Sequence, residues 1–171
     1  NYTSMIAKIP IWRALFNSLF VSAINTGVTL VFSSMVGYAL SRMEFKIRDL
    51  IFFIIIFTMS LPFQITLIPN YVLIVKFGWI DTYFTLTVPF RISAFGILMF
   101  RQAFKGLPQA LIDAARIDGC GELRIIFRIL WPNIKPTIIT VAILAFMGSW
   151  NEVLWPLIVI RDEQLMTLPQ L

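Results

Sequence analysis

Four long runs almost free of charged side chains decide what this chain can fold into. They cover residues 14–41, 50–75, 82–100 and 136–160, and only Arg91 interrupts the third and Glu152 the fourth. Hydrophobic residues make up 58% of the sequence and charged residues 13%, whereas a soluble domain carries about a quarter charged residues. A helix needs about 20 mostly apolar residues to cross a bilayer. The sequence therefore predicts an all-α, polytopic transmembrane helical bundle, with spans at about 15–40, 50–69, 83–104 and 136–160.

Residues 107–132 break this pattern. They read LPQALIDAARIDGCGELRIIFRILWP and carry Asp113, Arg116, Asp118, Glu122, Arg124 and Arg128 between two apolar runs, so this segment belongs in water or against another protein. Pro108 suits the first turn of a helix, and Gly119 and Gly121 suit a helix end followed by a tight turn. In a second helix over 122–130, Leu123, Ile126, Phe127 and Leu130 share one stripe, Arg124 and Arg128 share another flank, and Pro132 closes the element. A helix–glycine–helix with an apolar stripe at a membrane surface predicts a docking element.

Charge sets the expected orientation. With 107–132 in the cytoplasm, Arg42, Lys46, Arg48, Arg101, Lys105, Arg116, Arg124, Arg128 and Lys135 fall inside, and Lys8, Arg13, Lys76 and Arg161 outside. This distribution obeys the positive-inside rule, and the reverse topology violates it. The net charge of +5 then reflects orientation in a membrane, and no nucleic acid partner is expected. Residues 70–81 become an external connection with room for a short interfacial helix.

Pro62 and Pro69 fall late in the second span, where each removes a backbone donor. Irregular backbone at membrane depth belongs against protein or a water-filled cavity. Gln64 and Thr66 between them are candidates to satisfy the freed carbonyls, and Gln64 is a candidate to line a route. Arg91 and Glu152 are charges within spans, which cost about 2.5–3.5 kcal/mol at a helix centre. Two readings stand: Arg91 pairs with Glu152, Asn151 beside them, on the external half of a pathway; or Arg91 snorkels and Glu152 caps local backbone near Pro156. Gly27, Ser33, Ser34 and Gly37 suit close helix packing in the first span. Trp79, Trp150 and Trp155 suit an outer aromatic belt and Trp131 an inner one.

The sequence has a single cysteine, Cys120, and no histidine, which excludes an intramolecular disulfide and leaves little for a metal site. It has no G-x-x-x-x-G-K-[ST] loop, no H-E-x-x-H and no G-x-S-x-G. Any use of ATP must come from another polypeptide, and an enzyme is not expected. A secondary transporter using Arg91 and Glu152 as a relay is the alternative class, although a proton relay usually shows more carboxylates than Glu152 alone.

Asp113-Ala114-Ala115, then Gly119, then Ile129 and Pro132 together resemble the cytoplasmic "EAA" loop of ABC-importer permease subunits, Glu-Ala-Ala-x3-Gly-x9-Ile-x-Leu-Pro. Asp113 replaces the usual Glu, keeping charge with a shorter reach, and Trp131 replaces the Leu. Asn17-Ser18, Gly37-Tyr38-Ala39-Leu40-Ser41-Arg42, Pro62-x-Gln64-x-Thr66-Leu67-Ile68-Pro69 and Gly148-Ser149-Trp150-Asn151-Glu152-x-Leu154-Trp155-Pro156 are similar to the carbohydrate-importing, maltose-permease branch. The resemblance covers essentially the whole chain, read as one transmembrane permease domain over 1–171. It implies a six-span subunit of which this is the central four-span piece, in the cell (inner) membrane of a bacterium or archaeon.

It further implies a second permease subunit, two copies of a P-loop ATPase and an extracytoplasmic solute-binding protein as partners, besides membrane lipid. ATP and magnesium would be used by the ATPase, with no cofactor on this chain. The ATPase-docking residues implied are Asp113, Ala114, Ala115, Gly119, Glu122, Leu123, Ile126, Phe127, Ile129 and Pro132. The substrates implied are sugars, oligosaccharides and sometimes glycerol phosphates.

Overall fold

The structure, a computed structural model, describes residues 11–89 and 92–171, and no strand occurs among them. The first helix, α1 (Ile11–Arg42), has 32 residues, about 48 Å at 1.5 Å per residue, more than the ~30 Å hydrocarbon core of a bilayer. Its polarity is turned inward. Asn17, Ser18, Ser22, Asn25, Thr29 and Ser33 are buried while Trp12, Phe16, Leu19 and Phe32 face out. Water would expose the first set and bury the second; lipid tolerates the reverse.

After α1 come α2 (Arg48–Thr58), α3 (Phe63–Phe77), α4 (Tyr83–Thr87), α5 (Ala94–Lys105), α6 (Gln109–Ile117), α7 (Glu122–Trp150) and α8 (Leu154–Val159), then a 3₁₀ turn at Leu168–Gln170. Of these, α1 and α7 are each long and apolar enough to cross a membrane, and α2 with α3 pass the same test only as a sharply bent pair. Three of the four expected spans are interrupted among the described residues. The second is interrupted at residues 59–62, because Pro62, in extended backbone, starts a new helix. The third is divided between α4 and α5, since Pro89 offers no donor to the carbonyl of Thr85. The fourth ends as α7 at Trp150, and α8 follows as a separate short helix.

The chain forms two compact units. One comprises the chain up to Gly27, Pro62–Arg91 and Leu144–Leu171; the other comprises Val28–Leu61 and Ile92–Ile143.

In the first unit, Val21, Ile74, Leu86, Trp155, Val159 and Ile160 form the core. Pro89 offers no N–H to the carbonyl of Thr85, which accepts instead from Trp155 Nε1 at 3.0 Å, and Asn25 Nδ2 donates to Leu86 O at 3.3 Å. Asn17 Nδ2 donates to Gln164 O and Met166 O, both at 2.9 Å, and its Oδ1 accepts from Tyr83 Oη at 2.7 Å. Ser18 Oγ accepts from the backbone N–H of Leu168. Trp155 is thus a core residue and not part of an aromatic belt. Helix α3 continues through 70–77 to a left-handed Gly78, so the short interfacial helix expected in 70–81 is the end of a longer one.

Asp81 closes the loop after α3. Its Oδ1 accepts from the backbone N–H of Arg161 and of Asp162, and these two donors hold its carboxyl below the ordinary 3.8. A depressed acid contributes stability that is complete above 3.8 and is lost as pH falls through the folded-state value. Thermal unfolding of the purified protein, followed from about pH 6 to about pH 2, should show a shallower acid limb in Asp81→Asn. Asn suits the substitution, because position 81 has φ 56° and Asn tolerates that region.

In the second unit, Tyr38, Phe100, Phe104, Ile112, Ile125 and Leu130 are fully or almost fully buried. Gly37 lets α1 approach α5 closely: a Cβ there would lie 2.8 Å from Phe100 Cβ and 3.0 Å from Arg101 N. Ser33 and Ser34 are buried as expected. Gly27 is exposed and a Cβ on it would meet nothing within 4 Å, so close packing within the chain does not explain it. Trp131 is half-buried against this core, 4.9 Å from the Phe127 ring and 6.5 Å from Phe100.

Candidate functional site

The 107–132 segment belongs to the second unit. Pro108 precedes α6 in extended conformation, as its fixed φ favours. The helix ends where the sequence predicts. Gly119 adopts φ 77°, Cys120 N–H donates to Ala115 O at 2.9 Å and Gly119 N–H to Arg116 O at 3.0 Å. This is a Schellman cap, which satisfies two terminal carbonyls and needs a left-handed residue. Cys120 is a half-buried member of the turn.

Two faces of α6 diverge. Ile112 and Ala115 pack into the core, whereas Asp113, Ala114 and Ile117 are exposed. Ile117 is 86% exposed, the most exposed large apolar side chain among the described residues. Sequence reasoning did not single it out. An isoleucine on the outer flank of a capped amphipathic helix, one position before the cap, was the available signal.

Helix α7 departs from the expectation in two ways. Pro132 does not close it, since one helical rod runs from Glu122 to Trp150. Ile125–Leu130 is a π-helical turn and Trp131–Ile134 a 3₁₀ turn. Pro132 removes the donor for the Arg128 carbonyl and brings a ring against that turn, so a wider turn before it and a tighter one after carry the helix past. Asn133 Nδ2 donates to Ile129 O at 2.7 Å.

The second departure is in the stripe. In a π turn each N–H bonds the carbonyl five residues back, and here Ile125 and Leu130 are both fully buried with Ile126 beside them. Phe127 and Ile129 are partly buried against the same core. Leu123 instead is 57% exposed and, with Arg124, Phe127 and Arg128, lines a shallow open concavity of about 490 Å³. Pro132 is exposed.

The end of α1 grips this segment. Tyr38 Oη donates to Glu122 Oε2, Arg116 Nε donates to Glu122 Oε1 at 3.1 Å, and Arg116 Nη2 reaches Tyr38 Oη at 3.4 Å. The Glu122 carboxylate raises the pKa of Arg116 further above its ordinary value. One turn along α1, Arg42 Nε donates to Phe104 O at 3.1 Å, Nη2 donates to both Phe104 O and Leu107 O, and Nη1 donates to Gln109 Oε1 at 2.8 Å. Gln109 Nε2 in turn donates to Asp113 Oδ1 at 3.0 Å. Asp113 therefore pairs within its own helix, and Glu122 is a junction residue between α1, α6 and α7. Tyr38 and Arg42 were visible in the sequence only as part of a family block, because their partners are 62 to 84 residues away.

The residues expected to line a route are less gathered. Gln64 is exposed in the first turn of α3. Thr66 Oγ1 donates to Phe63 O at 2.9 Å and Asn70 Nδ2 to Thr66 O at 2.7 Å, so Thr66 and Asn70, not Gln64, serve the backbone around Pro69. Asn151 Nδ2 donates to Met147 O, and Glu152 Oε1 accepts from Trp155 N–H at 3.2 Å. Glu152 thus caps the start of α8, the local role proposed for it. Arg91, and with it an Arg91–Glu152 pair, lies outside the described residues.

Residues 10–171 match the family model for the binding-protein-dependent transport system inner membrane component. The arabinooligosaccharide transport system permease protein of Bacillus subtilis is 41% identical over 99% of the chain, and the lactose transport system permease protein of Rhizobium radiobacter 34% identical over 98%. The sn-glycerol-3-phosphate transport system permease protein of Escherichia coli K12 is 34% identical over 92%. The chain spans 60%, 62% and 56% of these relatives' lengths, respectively. Among solved structures, a bacterial ABC transporter involved in the import of the acidic polysaccharide alginate superposes with a TM-score of 0.84 at 28% identity, covering 92% of this chain and 56% of that one.

Proposed function

The chain belongs to the family of binding-protein-dependent transport system inner membrane components, and from that premise we propose that it is the permease subunit of an ATP-driven importer of a sugar, oligosaccharide or related carbohydrate. The observation that carries the proposal is the surface of α6 and the start of α7. Asp113, Ala114, Ile117 and Leu123 stand exposed around the Gly119 cap, while the opposite side of the same segment is built into the core. Exposed apolar side chains grouped together and rimmed by polar residues mark an interaction site. The chain has no phosphate-binding loop, so the partner suited to this surface is a separate P-loop ATPase. Two copies of it, a second permease subunit and an extracytoplasmic binding protein complete the proposed importer, in the inner membrane of a bacterium or archaeon, with 107–132 in the cytoplasm. ATP and magnesium act in the ATPase, and its closure displaces α6.

Glu152 favours this reading over a proton relay, since its carboxylate is engaged in capping α8.

The test is affinity purification of the full-length subunit from its native membrane, with identification of the proteins that accompany it. A P-loop ATPase and a second permease should co-purify, and a variant carrying Asp113→Lys and Gly119→Pro should lose the ATPase alone. Wild type that brings no ATPase would sink the proposal. The more selective change, Ile117→Asp, should weaken ATPase association by about 30-fold, the ~2 kcal/mol of an interface hot spot, without changing recovery of the second permease.

A further inference from the structure

We propose that Tyr38 and Arg42 are positioning residues that fasten α6 at both ends to the last turns of α1, so that α6 and this part of α1 move as one body. The inference rests on the importer reading and concerns what happens to a displacement once α6 receives it. Tyr38 and Arg42 are four residues apart, hence on one face of α1. Arg42 holds the entrance to α6 through the carbonyls of Phe104 and Leu107 and the side chain of Gln109. Tyr38 holds the exit, through Glu122 and Arg116.

The two grips differ in kind. Arg42 places its planar fork among three acceptors, which fixes orientation as well as distance and which a lysine does not reproduce. Tyr38 is 1% exposed, and its hydroxyl bonds an ionised carboxylate, the stronger class of hydrogen bond. Just before Tyr38, Gly37 brings the α1 backbone against α5, and between the two grips Leu40 O accepts from Arg101 Nε at 3.2 Å. Within six residues, α1 is therefore fastened to α5, to α6 and to the start of α7. Asp113, the acidic residue of the docking face, joins the same chain of bonds through Gln109.

Electron–electron double resonance on the assembled full-length transporter tests this directly. Spin labels go on Ala110→Cys in α6 and Val31→Cys in α1, in a Cys120→Ser background, attached before the ATPase is added. The wild-type distance should be the same without nucleotide and with magnesium, ATP and vanadate. Tyr38→Phe with Arg42→Gln should still bind the ATPase, but its distance should shift and broaden in the vanadate state. A purely structural role for the two residues would lower the unfolding temperature and leave the distance independent of nucleotide. The inference is overturned if the wild-type distance changes between states, or if the double variant keeps the wild-type distance in both. The wild-type comparison needs no variant to fold. Wild type that recruits no ATPase overturns the importer reading instead, and the coupling role with it.

Discussion

Gly37→Leu should abolish accumulation of folded protein, and Gly37→Ala should already lower stability by about 1–3 kcal/mol, the usual cost of overpacking a close contact. The atoms in the way are Phe100 Cβ at 2.8 Å, Arg101 N at 3.0 Å and Ile97 O at 3.2 Å. Two of the three are backbone atoms of α5, so no rotamer change relieves the clash. The helices must separate, which opens the core around Tyr38, Phe100 and Phe104. Thermal unfolding of detergent-solubilised protein, read as loss of the monodisperse chromatographic peak, measures the effect. Gly27→Ala on the same helix is the control, because a Cβ there meets nothing within 4 Å. Equal losses at both positions would mean that close approach is not what position 37 provides.

Trp155→Ala should cost about 3–5 kcal/mol, the range for removing a large buried aromatic. Trp155 is 3% exposed in the core of the first unit and packs edge-on against Phe63, with ring centroids 6.3 Å apart. Its indole also stands in for a missing backbone donor. The carbonyl of Thr85 would take the N–H of residue 89 in a continuous helix, and residue 89 is proline. Trp155→Phe separates the two contributions: it keeps most of the ring and removes the donor, for an expected loss of about 1–3 kcal/mol. Comparing unfolding temperatures of the two variants checks the order. A Phe variant as stable as wild type would show that the Thr85 carbonyl needs no such donor.

These two positions also show where sequence reasoning reached and where it stopped. The uncharged runs specify helices in lipid, and small residues on α1 signal close packing, so Gly37 was legible in kind. Its partner was not, because α5 is about sixty residues further along. Nothing local in the sequence around Pro89 says that Trp155 supplies a donor to Thr85 or that Asn25 serves Leu86. Pro132 does not end α7, as its residue type alone suggests. In water, Pro132 and Pro136 would end a helix; in a membrane helix, neighbouring side chains and local π or 3₁₀ turns re-satisfy the backbone. The period of 3.6 assumed for 122–130 then put Leu123 on one stripe with Ile126, Phe127 and Leu130 and left Ile125 out. Gly119, by contrast, was predicted from residue type alone, since a left-handed cap favours glycine whatever surrounds it.

The π turn at Ile125–Leu130 has the character of an insertion: one residue more than an α-helix needs for the same advance. Each residue of an α-helix turns the chain by about 100°. A related sequence one residue shorter here, with an ordinary turn, would keep both the loop and the membrane helix but point them differently about their common axis. The heading of the exposed face of α6 around α7 is thus recorded in a count of residues and not in the identity of any one of them. Alignments that slide a gap through 125–130 to improve identity would erase that record while leaving every motif in place.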